Sequence, residues 1–259
     1  MKLAITGKGG VGKTTVSAGL ATLFDRDGRS VVAIDADPDT NLALALGMSP
    51  GAAESIVPLS QQSDLIRERM GAAGGEGGGF VTLNPRVDDI AESYGVRLNG
   101  MRLFVMGAVR RGGAGCACPE NVLLQTLLEH LLIESDEVVI ADMEAGIEHL
   151  GRGTARGVDM LVVVVEPTMA AAHTAQTITK LATDVGITEL GLVVNKVRDP
   201  AQVEQVIDVA GSIPLLGTLP WREEVAIASY EGAPVASTPV LGDIATIKMA
   251  IEKRLATAI

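Results

Sequence analysis

The sequence predicts an α/β fold in which a mostly parallel central sheet is flanked by helices on both faces. Three observations carry that prediction. Short aliphatic runs alternate with helix-length segments along most of the 259 residues, the pattern of right-handed β-α-β crossovers. Hydrophobic residues make up 47% of the chain and aromatics only 2%, so the core must be assembled from Val, Ile, Leu, Ala and Met. Runs such as LVVVVE show no polar alternation, which suits strands covered on both faces.

The elements follow in order. KLAIT is a short apolar run closed by a glycine-rich turn, and KTTVSAGLATLFDRDG then sets Val16, Leu20 and Leu23 at helical spacing before Gly28. SVVAIDAD reads as the second strand, DEVVIADME as a later one, and VDMLVVVVEPT, ELGLVVNKV and SIPLLGTLP as three more. Helical patterns separate most of them: PENVLLQTLLEHLLIES, TMAAAHTAQTITKLATDVG, PAQVEQVIDVAG and the terminal LGDIATIKMAIEKRLATA. From about Met48 to Gly115 the rhythm breaks, with GAAGGEGGGF, two weak helical patches and one clear strand, RLFVMG. This segment reads as an accessory insertion within one domain spanning residues 1–259, and its glycine tract as a surface loop. No internal repeat is visible.

Composition removes several function classes. A formal net charge of −11 opposes binding that draws its affinity from neutralising phosphates with Lys and Arg, so no nucleic-acid partner is expected. No apolar run approaches the ~20 residues of a membrane-spanning helix, and Met1 leads into a strand rather than a signal peptide. A cytoplasmic protein that does not act at membranes is the expectation. The two cysteines, Cys116 and Cys118, sit in one glycine-rich stretch, GGAGCACPEN. In a reducing compartment such a pair points to metal binding or redox chemistry rather than a structural disulfide.

GKGGVGKT, from Gly7 to Thr14, satisfies the pattern GxxxxGK[ST] with a strand before it and a helix after it, which specifies a P-loop NTPase. The glycines let backbone N–H groups turn inward around phosphate oxygens, Lys13 neutralises charge, and Thr14 suits Mg²⁺. The expected phosphate contacts are Gly9, Gly10, Val11, Gly12, Lys13, Thr14 and Thr15, at a helix N-terminus that adds its own partial positive charge. VVAIDADPD ends a strand with Asp35 and Asp37 on one side of an extended chain. A turn built from Asp and Pro is locally as good a reading, and only the position after the second strand favours chemistry. VVIADMEAG sets Asp142 at another strand end, suited to holding Mg²⁺. LVVNKV places Asn195 and Lys196 at a third, and LPWREE carries Pro220 and the lone tryptophan, Trp221.

The second lysine of the loop, Lys8, resembles the deviant Walker A motif of the MinD, ParA, nitrogenase iron protein and arsenite-pump ATPase group. That resemblance implies a homodimer in which Lys8 reaches the partner's nucleotide, with ATP/ADP and Mg²⁺ bound in each subunit. It assigns Lys8, Lys13 and Asp37 to catalysis, Asp37 orienting the attacking water. Thr14, Asp35 and Asp142 fall to the Mg²⁺ shell, and Asn195, Lys196 and Pro220 to the adenine end. GCACPENVLLQTLLEHLL together with DMEAGIEHLGRGT resembles the CooC-type ATPases that mature nickel enzymes. Cys116 and Cys118 would then bind Ni²⁺ or Zn²⁺, and since a closed soft-metal site wants about four ligands, a two-fold axis near the loop would supply two more thiolates.

The implied function is an ATP-hydrolysing metallochaperone that dimerises with nucleotide or metal and assists nickel insertion into apo-carbon monoxide dehydrogenase or a related nickel enzyme. Two alternatives remain open. An Fe–S electron-transfer ATPase resembling the nitrogenase iron protein is weakened because Ala145 stands where that family takes a second ligand. A MinD-like regulator would use Ile247, Ala250, Ile251 and Leu255, on one face of the last helix, at a membrane. His130 and His173 read as helix residues, and His149 as a packed or capping group. Arg97, Arg102, Arg110, Arg111, Arg152 and Arg156 read as solvated.

Overall fold

The computed structural model describes residues 1–37, 39–71, 82, 85–107, 119–133, 135–144 and 152–257. Cys116 and Cys118 lie outside the described residues, as do Arg110, Arg111, Ala145 and His149.

The described strands are β1 (Lys2–Thr6), β2 (Val31–Ala36), β3 (Val96–Leu98), β4 (Met101–Val105), β5 (Val138–Met143), β6 (Met160–Val165), β7 (Leu190–Val197) and β8 (Leu215–Pro220). They form one sheet in the order β3-β4-β2-β5-β1-β6-β7-β8. All neighbours are parallel except β3 with β4. Every residue of β1, β5 and β6 is buried, which is why these runs are aliphatic without alternation.

Helices cover both faces. On one, α6 (Pro119–Ile133), α8 (Met169–Val185) and α9 (Ala201–Ala210) bury Leu123, Leu127, Ala172, Ile178 and Val206 against Val163 and Val194. On the other, α1 (Lys13–Arg26) and α11 (Val240–Thr257) bury Val16, Leu20, Phe24, Ile244, Ile247 and Ile251 against Leu3, Ile5 and Val162. Two shorter helices are α7 (Arg152–Ala155) ahead of β6 and α10 (Glu223–Glu231) after β8. The apolar stripe of α11 is core: Ile247 and Ile251 are fully buried, and Ala250 and Leu255 pack beside them. Among the described residues no helix is long and apolar enough to cross a membrane.

The insertion differs from expectation. Where the sequence suggested one strand, β3 and β4 form an antiparallel hairpin whose turn is Asn99 and Gly100. Asn99 sits at φ 54, a left-handed conformation that asparagine tolerates. β4 pairs with β2, so the insertion extends the main sheet. The two expected helical patches become α3 (Pro50–Glu54), α4 (Ser63–Met70) and α5 (Asp88–Ser93), following a short α2 (Leu42–Ala45). Of the arginines in and near it, Arg97 is exposed, whereas Arg102 pairs with Glu137.

Gly19 marks where α1 meets α11. A Cβ at this position would run into the Ile244 side chain, so the two helices approach closer than any other residue would allow. Lys248, nearly buried on α11, reinforces the seam with Asp27 at 2.7 Å, Glu252 at 2.9 Å and the Phe24 ring at 4.6 Å. Gly19→Val is expected to destabilise the protein by about 1–3 kcal/mol through overpacking. Adding Ile244→Ala should recover part of that loss in denaturant titrations, because the new methyls then enter the space the isoleucine leaves.

Candidate nucleotide and metal-ion site

β1 lies mid-sheet, with β2 to β5 on one side and β6 to β8 on the other. Its carboxyl end is thus the point where strand order reverses and a crevice opens. Into it runs the loop Gly7 to Gly12, followed by α1. Among the described residues no side chain caps α1, which leaves first-turn N–H groups available to an anion. Gly12, at φ 97, is required on two counts: the conformation disfavours side chains, and a Cβ would run into the Asn195 amide. A cleft of 740 Å³ extends from Gly9, Gly10 and Thr15 past Asp37 and Glu144 to Asn195, Lys196, Pro220 and Trp221. That volume lies within the range of small-molecule sites.

The acidic side of the crevice is built by strand register. Asp35 on β2 pairs with Asp142 on β5, so two carboxylates lie side by side, fully buried. Thr14 Oγ1 donates to Asp142 Oδ2 at 2.6 Å and Ser17 Oγ to Oδ1 at 3.2 Å. Lys13 Nζ, almost buried, lies 3.4 Å from Asp37. Asp35 is held differently: Oδ2 accepts from the Leu42 N–H at 2.9 Å and Oδ1 from the Asp37 N–H at 3.4 Å. Its oxygens thereby fasten the loop that carries Asp37.

Burial dominates the electrostatics. Desolvation pushes the Asp35 carboxyl up to about 7, against the backbone donors, with the neighbouring Asp142 charge adding to it. Desolvation likewise pushes Asp142 up to about 6, opposed by Thr14, Lys13 and Ser17. Lys13 is the cation set against these acids by its ion pair with Asp37, so a further cation bound here would be favoured by the local charge. Among the described residues no group of three or more His, Cys, Asp or Glu converges to hold a metal ion. The donors present, one hydroxyl beside one carboxylate, fit Mg²⁺, which keeps several waters and takes its remaining oxygens from phosphate. They do not fit a dedicated all-protein cage.

The opposite side of the crevice pins the loop. Asn195 Nδ2 donates to the Val11 carbonyl at 2.7 Å, and its Oδ1 accepts from the Lys196 N–H at 2.8 Å; among the described residues this leaves one N–H and one lone pair of the amide. Lys196 adopts φ 59, a conformation rare for side-chain-bearing residues. Its Nζ donates to the Gly10 carbonyl at 2.6 Å and pairs with Glu166 at the end of β6. Lys8 is exposed on the loop. Sequence reasoning missed Ser17 and Glu166. Ser17 is three residues after Thr14, one helical turn along the same face, and that spacing was its signal; Glu166 ends an aliphatic strand just as Asp142 does. His130 and His173 do lie in helices, α6 and α8.

Comparison with known proteins agrees with this geometry. Residues 2–235 match the family described as CobQ/CobB/MinD/ParA nucleotide binding domain. The chain is 46% identical over 232 residues to the carbon monoxide dehydrogenase accessory protein CooC of Rhodospirillum rubrum, covering 90% of this chain and 88% of that one. It is also 46% identical over 237 residues to an uncharacterized ATP-binding protein of Methanocaldococcus jannaschii, covering 91% of each. Among solved structures it resembles a chain of the MinC:MinD cell division protein complex of Aquifex aeolicus, with TM-score 0.69, 19% identity and coverage of 97% and 95%. Similar too is the MinD protein complexed with Mg-ADP from Pyrococcus horikoshii, with TM-score 0.67, 19% identity and coverage of 100% and 98%. The chain belongs to the CobQ/CobB/MinD/ParA nucleotide-binding family and is a CooC-type ATPase.

Proposed function

We propose that this ATPase is a cytoplasmic metallochaperone that dimerises with nucleotide or metal and assists nickel insertion into apo-carbon monoxide dehydrogenase or a related nickel enzyme. The observation that carries the reading is the similarity to CooC along nine-tenths of the chain, joined to a cleft whose charge and donors suit a magnesium nucleotide. The buried apolar face of α11 favours this over a membrane-directed regulator.

Hydrolysis would proceed by positioning and charge neutralisation. Lys13, at 3.4 Å from Asp37, would transfer its ion pair to the phosphates. Asp37 would then be free to orient the attacking water, with Asp35 holding its loop from β2. Thr14 and Asp142 would hold Mg²⁺, which supplies neutralisation of the phosphate oxygens when bound. The loop N–H groups and the start of α1 would cradle the β-phosphate, and Lys8 would complete the partner's site. Nickel or zinc is cargo in this scheme, taken by Cys116 and Cys118 of two subunits.

The Asp142 carboxyl titrates at about 6 in the folded chain, against an ordinary value of 3.8, so the native state holds that proton more tightly than the unfolded state. Its contribution is fully favourable below pH 4 and is lost as pH rises through about 6. Asp142→Asn is therefore expected to stabilise the nucleotide-free protein by about 2 kcal/mol at pH 8, or ~5 °C in Tm, with the advantage vanishing near pH 4. The same variant should lose hydrolysis by at least about 100-fold. An Asp142→Asn protein less stable than wild type at pH 8 would contradict the electrostatic account.

The chaperone reading is tested by size-exclusion chromatography with metal analysis, with and without nucleotide, alongside nickel activation of apo-carbon monoxide dehydrogenase. Wild type should form a dimer holding one Ni²⁺ or Zn²⁺ per pair of chains and should speed activation with ATP. Cys116→Ala/Cys118→Ala should lose the metal and the activation while keeping ATP binding. Stoichiometric metal in the double variant, or a wild type monomeric in every condition, would sink the shared-thiolate site.

A further inference from the structure

The far end of the cleft holds a feature that the nucleotide motifs do not use. Trp221, the one tryptophan of the chain, remains 40% exposed and lines the cleft beside Pro220 and Asn195. A tryptophan recruited for packing would be covered by apolar neighbours. Here a cation takes that place: the Arg198 guanidinium lies 4.5 Å from the ring centroid. Arg198 covers one face of the indole, and the ring, still partly exposed, forms part of the cleft wall. Such a contact holds a ring flat without closing its other face.

The ring's mounting is rigid. The Trp221 backbone N–H donates to the Val197 carbonyl at 2.8 Å, locking the end of β8 to β7. The next residue, Arg222, makes a two-pronged contact to Asp243, Nε to Oδ2 at 2.8 Å and the second prong to Oδ1 at 3.1 Å, which fastens the start of α10 to α11. The ring also stands where a base would fall. The loop before Lys13 follows β1, while Trp221 follows β8, three strands across in the sheet order. With phosphates at the loop, a nucleotide lying along the cleft brings its base to the Asn195, Pro220 and Trp221 end.

We propose that Trp221 is the stacking platform for the nucleotide base, held flat by Arg198 and by the Arg222–Asp243 anchor. The proposal rests on the reading of this cleft as the ATP site and assigns its base-binding wall. Stacking contributes affinity without choosing among bases, since every base has a π face, so the free N–H and lone pair of Asn195 are left to read the base edge. Trp221 and Asn195 thus divide affinity from selectivity.

The lone tryptophan makes the test direct. Full-length wild type is titrated with Mg-ADP and, separately, with magnesium tripolyphosphate, which fills the phosphate end and lacks a base; indole emission and calorimetric Kd are recorded together. ADP should quench and shift the emission, and tripolyphosphate should leave it nearly unchanged. Trp221→Ala should weaken ADP binding by about tenfold, and Trp221→Phe by less than about threefold because a stacking face remains. In steady-state hydrolysis Trp221→Ala should raise KM with a much smaller change in kcat, which a general loss of folding would not produce. Emission unchanged by saturating ADP, an equal response to tripolyphosphate, or a Trp221→Ala Kd within about twofold of wild type would overturn the proposal. Absence of any ADP binding by wild type would instead remove the nucleotide reading beneath it.

Discussion

Two carboxylates buried side by side at the carboxyl edge of the sheet are the constraint around which the rest of the molecule is arranged. The β2–β5 register sets Asp35 beside Asp142, and burial raises both toward neutrality. A like-charged pair removed from water is unfavourable unless its oxygens are engaged. The surrounding structure supplies those partners: the Thr14 and Ser17 hydroxyls from α1 for Asp142, and the Leu42 and Asp37 N–H groups for Asp35. Lys13 answers the third acid, Asp37. Among the described residues Lys13 is the cation paired within this cluster of three acids, and a magnesium nucleotide carries another.

This arrangement also joins the two halves of the sheet. The phosphate loop leaves β1 and leads into α1, whose Lys13 and Thr14 meet Asp37 and Asp142 on one side; on the other the loop is held by Asn195 and Lys196 of β7, with Lys196 paired in turn to Glu166 just past β6. The Lys196 backbone at φ 59 is a local strain of the kind that persists where surrounding contacts over-determine it. A ligand that displaces Lys13 from Asp37 therefore acts on a loop already braced from both flanks. Its effect passes to the segment between β2 and α2, which carries Asp37 and is tied to Asp35 at both of its ends.

Much of this was legible in the chain. The phosphate loop was readable because its chemistry is local: glycines, a lysine and a threonine at fixed spacing between a strand and a helix. The strands of the parallel sheet were readable because double-sided burial leaves uninterrupted Val, Ile and Leu. The β3–β4 hairpin was not recovered, although Asn99–Gly100 between RL and MRLFV is a hairpin turn signal; the strands are short and only pairing with β2 makes them part of the sheet. The bonds of Asp35, Glu166 and Lys196 join residues distant in sequence, and local spacing carries no information about them. For Asn195 the sequence suggested the adenine edge, and the structure shows half of its amide already engaged with Val11 and Lys196.

The measurement closest to the central claim is proton release on nucleotide binding, read by calorimetry in buffers of differing ionisation enthalpy at a pH of about 6.5, near where the buried acids titrate. If the buried carboxylates await a cation, Mg-ADP must drive off the protons they hold in its absence, on the order of half a proton per site, and Asp142→Asn must release fewer. A binding enthalpy independent of the buffer, or net proton uptake, would contradict the account.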